Sequence, residues 1–278
     1  MMQEASHDPN AEQLLQALER LNRGYLAVIT GAGISLASGI PTFRGSDTGA
    51  IWKRDVTELG TFRYFREDPV GSWSWYLSRF DKVLDAEPNE AHRALTRLER
   101  WQLERGGHYL LITQNVDTLH EDAGSREMVK VHGTADRVRC PRDGCSFGAP
   151  YGSIPRSEVD LGPFLESPSR DHLPRCPECG DVLRQHVLWF DEHYQGHDDY
   201  QWRRVQEAAI LMGLALFIGT SFSVGVTDMF VQHALSVGIP VISIDPSGNR
   251  PPYPGIQIIQ DKAEELLPRV CARLGLSE

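Results

Sequence analysis

Short apolar runs alternate with amphipathic stretches along most of the chain. Runs of apolar residues predict buried strands, and apolar positions three or four apart predict helices. Strands that alternate with helices favour a parallel sheet covered on both faces, a Rossmann-like α/β fold. The predicted strands are 26–29, 109–113, 128–131, 187–190, 215–218 and 241–244. The predicted helices are 10–23, 203–212, 227–237 and 262–274, with others between 47 and 101 that break at Asp68-Pro69 and restart at Pro88-Asn89.

The first predicted strand leads directly into the sequence Gly-Ala-Gly at 31–33. A glycine turn lets backbone N–H groups approach an anion closely, and a helix that begins there attracts a phosphate. The third glycine, Gly39, comes later than in the dinucleotide motif G-x-G-x-x-G, so a plain tight turn also fits. Arg44 on the next loop is either a phosphate ligand or a surface residue.

Glycine or polar residues follow several predicted strands, namely Gly31, Gln114, Gly219 and Asp245. The carboxyl ends of parallel strands meet at one edge of a sheet, and ligands bind in the crevice there. We therefore expect these residues to share one cleft. His132 follows the short piece 128–131 and belongs to the same edge, although a lone histidine is more often a surface or core residue.

Three further side chains suggest catalysis at this edge. An imidazole that titrates near neutral pH, as His132 would, can take a proton from a hydroxyl group. Asn115 offers a donor and an acceptor, and Asp117 can bind an amide N–H or stabilise a developing cation. The alternative for Asn115 and Asp117 is a helix cap before Leu119, and the segment alone does not decide between them.

Four of the five cysteines form two close pairs, Cys140 with Cys145 and Cys176 with Cys179. Thiolates in two short turns are the usual ligands of a structural zinc ion. We predict a zinc-ribbon-like module here, while Cys271 in the last helix is a buried thiol. The middle of the module, 149–174, is rich in Pro, Gly, Ser and Asp and is predicted to be a flexible excursion.

Composition narrows the class of protein. The 278 residues are 41% hydrophobic and 24% charged, which is typical of a globular protein, and the net charge of −10 argues against a nucleic-acid or anionic-membrane partner. No apolar stretch approaches the ~20 residues of a membrane helix. The first residues do not resemble a secretory signal, so a cytoplasmic protein is expected. The oligomeric state stays open, and a monomer is compatible with the sequence.

The motifs GAGIS, SGIPTFRG, QNVD and VHG, the four cysteines, VLWF and GTS occur in this order. The ordered set, which spans about 20–270, resembles the sirtuins, NAD-dependent protein-lysine deacylases. The resemblance implies a Rossmann-like NAD-binding domain (10–46, 103–136 and 184–276), and a smaller domain made of a helical module (47–102) and a zinc-binding module (137–183). NAD would lie between the two domains.

The resemblance also assigns roles to single residues. His132 would be the catalytic base, and Asn115 and Asp117 would serve the reaction at the nicotinamide end of NAD. The strand 187–190 and the segment after Ser221 would hold the substrate peptide between them, with Val187, Trp189 and Phe190 as contacts. The positions expected to bind NAD are Gly31, Ala32, Gly33, Ser35, Phe43, Arg44, Gln114, Asn115, Asp117, Gly219, Thr220, Ser221, Ser243, Asp245 and Ala263.

Tyr76 and Arg79 stand three residues apart and would share a helix face. The pair is similar to the one that marks desuccinylase-type (class III) bacterial sirtuins, where it receives the distal carboxylate of succinyl- or malonyl-lysine. The resemblance therefore implies removal of acidic acyl groups as well as acetyl, with release of nicotinamide and O-acyl-ADP-ribose. Without the resemblance, a core tyrosine and a surface arginine would be the better interpretation.

Two departures from the sirtuin pattern affect the expected contacts. Asp191 replaces the usual glycine after Phe190, and an acid there would alter peptide docking. Asp245 stands where many sirtuins carry asparagine, and its carboxylate would bind ribose hydroxyl groups. The alternative function is that of an ADP-ribosyltransferase or an NADase, which needs the same NAD pocket but no peptide strand or Tyr76–Arg79 pair.

Overall fold

The computed structural model of the chain describes residues 8–42, 56–248 and 251–276, apart from the side chains at 81 and 82. The described strands are β1 (Tyr25–Thr30), β2 (His108–Thr113), β3 (Met128–Lys130), β4 (Gly133–Arg139), β5 (Ile154–Pro155), β6 (Arg184–Val187), β7 (Leu214–Ile218), β8 (Val241–Ile244) and β9 (Gln257–Ile259). The described α-helices are α1 (Pro9–Leu21), α2 (Val56–Leu59), α3 (Phe62–Glu67), α4 (Pro69–Leu84), α5 (Glu90–Glu104), α6 (Leu119–Asp122), α7 (Gly162–Glu166), α8 (Trp202–Leu211), α9 (Gly225–Val237) and α10 (Ala263–Arg273).

Six parallel strands form the larger sheet, in the order β3-β2-β1-β7-β8-β9. The chain runs from β1 outward to β3 on one side and from β7 outward to β9 on the other. The strand order therefore reverses between β1 and β7, which is where open parallel sheets bind their ligands. Thr30 pairs with Thr113 on one side and with Ile218 on the other, so the carboxyl ends of β1, β2 and β7 are level.

Helices cover both faces of this sheet because its strands are apolar on both faces. Leu26 and Val28 of β1 pack in the same core as α1, α5 and α10, while Ala27 and Ile29 pack in the core under α8 and α9. This alternation is the period of two that a strand imposes on its side chains. The arrangement confirms the predicted Rossmann-like fold.

Helix starts in the described chain follow the predicted signals. Asp68 caps α4 through a 2.9 Å bond to the backbone N–H of Gly71, and Pro69 takes the first helical position. Asn89 caps α5 in the same way, and His92 completes the capping box.

A smaller antiparallel sheet, β5-β4-β6, lies beside the large one. Its core joins the aromatic side chains of α3 and α4 to the cysteine segment, with Trp73 and Phe164 fully buried. The indole N–H of Trp73 donates to the Leu183 carbonyl over 2.8 Å, which ties α4 to the chain just before β6. The helices α3 and α4, the small sheet and the cysteine segment therefore form one packed unit, called the small unit below.

The structure departs from the predictions in three places. The strand predicted at 187–190 is β6, which ends at Val187, because its partner β4 begins at Gly133 and the two residues pair. The segment 149–174 is not a featureless excursion, since it contains β5 and α7 and buries Phe164 to 1% exposure. Strand β9, at the edge of the large sheet, was not among the predicted strands. The helix that follows the glycine turn is a 3₁₀ helix, Ala32–Ser38.

The predicted domain boundaries differ from the packing at two elements. Helix α5, assigned to the helical module, packs against α10 and β2 in the core of the large sheet. Strand β6, assigned to the NAD-binding domain, pairs with β4 in the small sheet. The division into an NAD-binding and a small domain stays a prediction with these two changes. Within the described ranges, no helix has the length and apolar character needed to cross a membrane.

Candidate active site

The candidate site begins where the turns after β1 and β7 meet. The N–H of Gly31 donates to the Ile218 carbonyl over 3.0 Å, and that of Gly33 donates to the Gly219 carbonyl over 2.9 Å. A Cβ atom on Gly33 would lie 2.6 Å from the Cα of Gly219, so only glycine lets the two turns approach this closely. The late third glycine, Gly39, ends the 3₁₀ helix in a left-handed conformation.

A buried hydrogen-bond chain joins Asn115, Ser35 and Asp117. The Asn115 amide donates from Nδ2 to Ser35 Oγ over 3.0 Å, and the Ser35 hydroxyl donates to Asp117 Oδ2 over 3.0 Å. Asp117 Oδ1 accepts from the N–H of Leu119 over 3.2 Å, which is the cap that the sequence offered as the alternative interpretation. Burial raises the pKa of Asp117, while its hydrogen bonds to Leu119 and Ser35 lower it in part. Asp117 thus accepts an N–H at the start of α6 and also belongs to the buried hydrogen-bond chain, so the two interpretations of this segment do not exclude each other.

His132 is held in one orientation and one tautomer. Its Nδ1 lies 3.0 Å from the Gln114 carbonyl oxygen, which can only accept, so Nδ1 carries the proton. The lone pair is then on Nε2, 3.5 Å from the Tyr194 hydroxyl. Desolvation by burial lowers the pKa of His132 to about 4, with the Gln114 hydrogen bond opposing the shift. A neutral imidazole with a basic Nε2 can accept a proton.

One large cleft collects most of the predicted residues. Glycine turns lie at one end of it, His132 and Asn115 in its middle, and the segment after β6 along its side. The predicted residues that line the cleft are Gly31, Ala32, Gly33, Tyr76, Gln114, Asn115, His132, Val187, Trp189, Phe190, Gly219, Thr220, Ser221, Asp245 and Ala263.

Four predicted residues do not line the cleft. Ser35 and Asp117 lie behind Asn115, to which they are joined by the hydrogen-bond chain described above. Ser243 is buried within β8, one residue before the strand ends, and does not reach the cleft. Arg79 lies behind Trp75, with its guanidinium carbon 5.1 Å from the indole centroid. Phe43 and Arg44 fall outside the described residues.

Tyr76 and Trp189 form one side of the cleft together. The Trp189 indole N–H donates to the Tyr76 hydroxyl over 2.5 Å, and burial raises the pKa of that phenol well above its usual range. Trp189 is itself buried, whereas Phe190 is 56% exposed and reaches back to Gly60 through a 3.0 Å backbone hydrogen bond. Phe190 is thus the exposed aromatic edge of the cleft.

The acid that departs from the sirtuin pattern has a clear structural partner. Both carboxylate oxygens of Asp191 accept from the first N–H groups of α3, those of Phe62 at 2.7 Å and Arg63 at 3.0 Å. Orphan N–H groups at a helix start favour a negative charge. The Asp191 carboxylate thus makes a stabilising contact that ties α3 to the wall of the cleft, and its effect on peptide docking stays a prediction.

NAD can be tested against this cleft on two observations. Asn115 Oδ1 is buried and has no hydrogen-bond partner among the described residues, so it is poised to accept an amide N–H from a ligand. Gly31, Gly33 and Gly219 at one end of the cleft carry no side chain, which leaves room for a diphosphate against the backbone. The residues present fit a nucleotide that carries a carboxamide.

The four predicted cysteines lie together in the small unit. Cys140 Sγ is 3.4 Å from Cys179 Sγ, Cys145 Sγ is 3.5 Å from Cys176 Sγ, and all four sulfur atoms lie within 4.8 Å of one another. Zinc–sulfur bonds of ~2.3 Å in a tetrahedron place sulfurs roughly 3.8 Å apart, close to these distances. The cluster fits a closed zinc site, which leaves no ligand position for substrate.

Two residues of the site had not been predicted. Tyr194 stacks on His132, with ring centroids 5.9 Å apart, and on Trp202. Lys130 donates to the Asp117 carbonyl and to Thr134 Oγ1 at 2.5 and 2.7 Å, and so fixes the backbone that carries Asp117. The one signal for Tyr194 in the sequence is that it is an aromatic residue surrounded by polar residues.

Comparison with known proteins agrees with this geometry. Residues 31–226 match the Sir2 family model. An NAD-dependent protein deacylase of Thermus thermophilus is 38% identical over 84% of this chain and 85% of its own length. One of Aeropyrum pernix is 37% identical over 92% of this chain and 94% of its own length.

Solved structures agree as well. The crystal structure of a Sir2 homologue bound to NAD has a TM-score of 0.75 at 34% identity, covering 96% of this chain and 95% of the other. A complex of Sir2 with a p53 peptide and NAD+ has a TM-score of 0.74 at 25% identity, covering 94% and 98%. On the family match, the identities and the cleft, this chain belongs to the Sir2 family, the sirtuins.

Proposed function

We propose that this protein is an NAD-dependent protein-lysine deacylase that accepts acetyl groups and also acidic acyl groups such as succinyl and malonyl. Nicotinamide and an O-acyl-ADP-ribose are the expected products. One observation carries the proposal: the buried Asn115–Ser35–Asp117 chain and the neutral His132 meet at a single cleft. Relatives over most of the chain are NAD-dependent protein deacylases, which supports it.

Residues of this chain would hold NAD in three groups. The diphosphate would lie against the side-chain-free turns at Gly31, Gly33 and Gly219, and Asp245 with Ala263 would face the adenosine end. The carboxamide lies at Asn115 Oδ1, the unpartnered buried acceptor. When bound, NAD supplies a ribose carbon that becomes electrophilic as nicotinamide leaves. Asp117 holds Asn115 through Ser35 and places a negative charge below this point.

His132 takes the proton in this scheme. Its Nδ1–H stays on the Gln114 carbonyl, so only Nε2 is available as a base towards the cleft. The Tyr194 hydroxyl, 3.5 Å from Nε2, limits the directions from which a substrate hydroxyl can approach. His132→Tyr should abolish deacylation without releasing zinc, because His132 makes no contact with the four cysteines. Turnover retained in this variant would remove His132 from the role of base.

The substrate peptide would lie along the cleft between two segments. Leu188, Trp189 and Phe190 line one side, and Phe222 to Gly225 line the other. A peptide in extended conformation can pair with both segments through its backbone, as in β-augmentation. The exposed ring of Phe190 then contacts side chains next to the acylated lysine.

The acyl chain would enter beside Tyr76. Tyr76 and Trp75 line the cleft, and the Arg79 guanidinium lies against the outer side of the Trp75 ring. An acyl chain that ends in a carboxylate attracts that guanidinium, and a change of the Trp75 rotamer brings the two charges together. An acetyl group is too short for this contact. Arg79 therefore contributes only to acidic acyl chains.

Matched acetyl-, succinyl- and malonyl-lysine peptides test this preference. Arg79→Met should lower kcat/KM for the succinyl and malonyl peptides at least tenfold and change the acetyl peptide little, whereas Arg79→Lys should retain part of the activity. Arg66→Met is the matched control, because Arg66 also lies over an aromatic ring, Phe62, but on the exposed side. Equal losses on all three peptides would refute the carboxylate role.

An ADP-ribosyltransferase or an NADase remains the alternative, since it uses the same NAD pocket. Both classes consume NAD without an acylated lysine. Nicotinamide release that depends on the acyl peptide, followed by mass spectrometry, supports deacylation. Release at the same rate without peptide supports the NADase.

A further inference from the structure

A second group of metal-ligand side chains lies outside the cleft and outside the cysteine cluster. His186 on β6 and His197 and Asp199 on a later turn bring their ligand atoms within 4.8 Å of one another. Both histidine side chains are almost fully buried, while the side chain of Asp199 is half exposed and open to solvent. Two imidazoles and one carboxylate are an ordinary ligand set for zinc.

His197 already has the tautomer that a metal ligand needs. Its Nε2 lies 3.1 Å from the Gly152 carbonyl, which can only accept, so Nε2 carries the proton and Nδ1 the lone pair. Metal-binding histidines typically donate their other ring N–H to a backbone carbonyl in this way. The Nδ1 lone pair faces Asp199: it accepts the Asp199 backbone N–H over 3.2 Å and lies 3.6 Å from Oδ2, so a metal ion there would take the place of the N–H bond.

The side chain of His186 supports a metal site independently of His197. This side chain is 1% exposed, yet neither ring nitrogen has a hydrogen bond of normal geometry to any described residue. Nε2 nonetheless lies 3.0 Å from Asp199 Oδ2. A buried imidazole whose ring nitrogens make no hydrogen bond is costly, and the unaligned contact between His186 Nε2 and Asp199 Oδ2 fits two ligands of one ion.

The distances agree with a tetrahedral ion. Zinc bonds of ~2.0–2.1 Å to nitrogen and oxygen place neighbouring ligand atoms roughly 3.3 Å apart. The observed separations of 3.0 Å and 3.6 Å lie on either side of that value. Of the neighbouring cations, Arg139 pairs with Glu192, and Arg137 donates to Ser153, whose hydroxyl donates in turn to Asp199 Oδ2 over 3.4 Å.

We propose that His186, His197 and Asp199 form a second zinc site with three protein ligands and an open position on the solvent side of Asp199. The open position distinguishes it from the closed four-cysteine site. An ion there fastens β6 to the turn between Tyr194 and Tyr200. The same turn carries the ring that stacks on His132, so the site stiffens one wall of the cleft.

Zinc stoichiometry after equilibrium dialysis tests the proposal on the full chain. The wild-type protein should bind a second zinc ion beyond the one held by the cysteines, and Asp199→Asn should lose that ion alone. Asp198→Asn is the matched control, because this neighbouring carboxylate lies outside the cluster, and it should bind both ions. The exposed position of Asp199 makes its substitution compatible with folding.

Thermal unfolding provides the second measurement. Zinc added after the cysteine site is filled should raise the Tm of the wild-type protein and of Asp198→Asn, and leave Asp199→Asn unchanged, because only binding to the folded state stabilises it. Wild-type protein that saturates with one zinc ion overturns the proposal. Equal binding by Asp199→Asn and Asp198→Asn overturns it too.

Discussion

At the scale of single residues, the small side chain of Ser35 links two other side chains of the candidate site. It accepts from the Asn115 amide and donates to the Asp117 carboxylate, with all three side chains buried. Ser35→Ala removes one hydrogen bond from the Asn115 amide and one from the Asp117 carboxylate. Leaving a buried polar group unsatisfied costs about 1–3 kcal/mol of free energy. We expect kcat/KM for NAD to fall roughly tenfold to hundredfold in steady-state assays, since ~1.4 kcal/mol is tenfold in rate.

Ser38→Ala is the matched control for that substitution. Ser38 lies on the same 3₁₀ helix, but its hydroxyl accepts from Asn89 and not from Asn115. It should keep nearly full activity. Equal losses in the two variants would show that the helix as a whole matters, and not the link between Asn115 and Asp117.

His132 predicts an unusual pH dependence. A base must be neutral, so activity is present above the pKa of His132 and lost as the pH falls through it. Burial lowers this pKa to about 4, below the ordinary 6.5 of histidine. The acid limb of kcat/KM, which reports the free enzyme, should therefore lie well below pH 6.5. Tyr194→Phe should move the limb upward, because it removes a donor to the neutral Nε2.

Two controls separate this effect from acid unfolding. Samples returned from low pH to neutral pH must regain full activity, and His108→Gln, at an exposed position on β2, must leave the profile unchanged. An acid limb at or above pH 6.5 in the wild-type protein would contradict the buried, neutral state of His132.

At the scale of elements, local patterns predicted what depends on local contacts. Five of the six strands of the large sheet, all except β9, follow from apolar runs, and the caps at Asp68 and Asn89 follow from side-chain oxygens. The glycine and polar residues after the strands lie close together because β1, β2 and β7 are in register and end at the same height in the sheet. Fold class and most of the cleft were therefore accessible from the sequence.

Hydrogen bonds between residues far apart in the sequence could not be predicted from local patterns. Trp189 donates to Tyr76 across 113 positions, and Asp191 caps a helix 128 positions earlier. Such bonds leave no periodic signal along the chain. The end of β6 was misplaced for the same reason, since its pairing with β4 decides where the strand stops.

Asp191 offers a test of one such contact. Asp191→Gly introduces the residue common in sirtuins and removes both hydrogen bonds to the start of α3. Loss of a helix cap costs about 1 kcal/mol, and we expect the Tm to fall by about 2–4 °C per kcal/mol in calorimetry. Asp191→Asn, which keeps one acceptor oxygen, should lose less.

Asp171→Asn, at an exposed position before β6, serves as the control and should leave the Tm within error. If Asp191→Gly has no effect on the Tm but raises KM for the peptide, the carboxylate contacts substrate and its capping role is unimportant.

At the scale of the whole molecule, residues from the large sheet and from the small unit line the same cleft. The large sheet has its own apolar cores on both faces, while the small unit combines aromatic side chains of α3 and α4 with the four cysteines. The small unit supplies Tyr76, Trp189 and Phe190 to the cleft. The shape of the cleft therefore depends on whether the small unit is folded, although that unit lies away from the glycine turns after β1 and β7.

Zinc removal should therefore abolish activity without unfolding the large sheet. Cys179→Ser, or a strong chelator, deprives the small unit of binding free energy that is also folding free energy. Hydrogen exchange should then accelerate in β4, β6 and α4 and stay slow in β1, β2 and β7. Cys271→Ser is the matched control, because Cys271 is buried against α5, away from the cluster. Uniform acceleration over both sheets would instead make the protein one cooperative unit, with zinc as its common support.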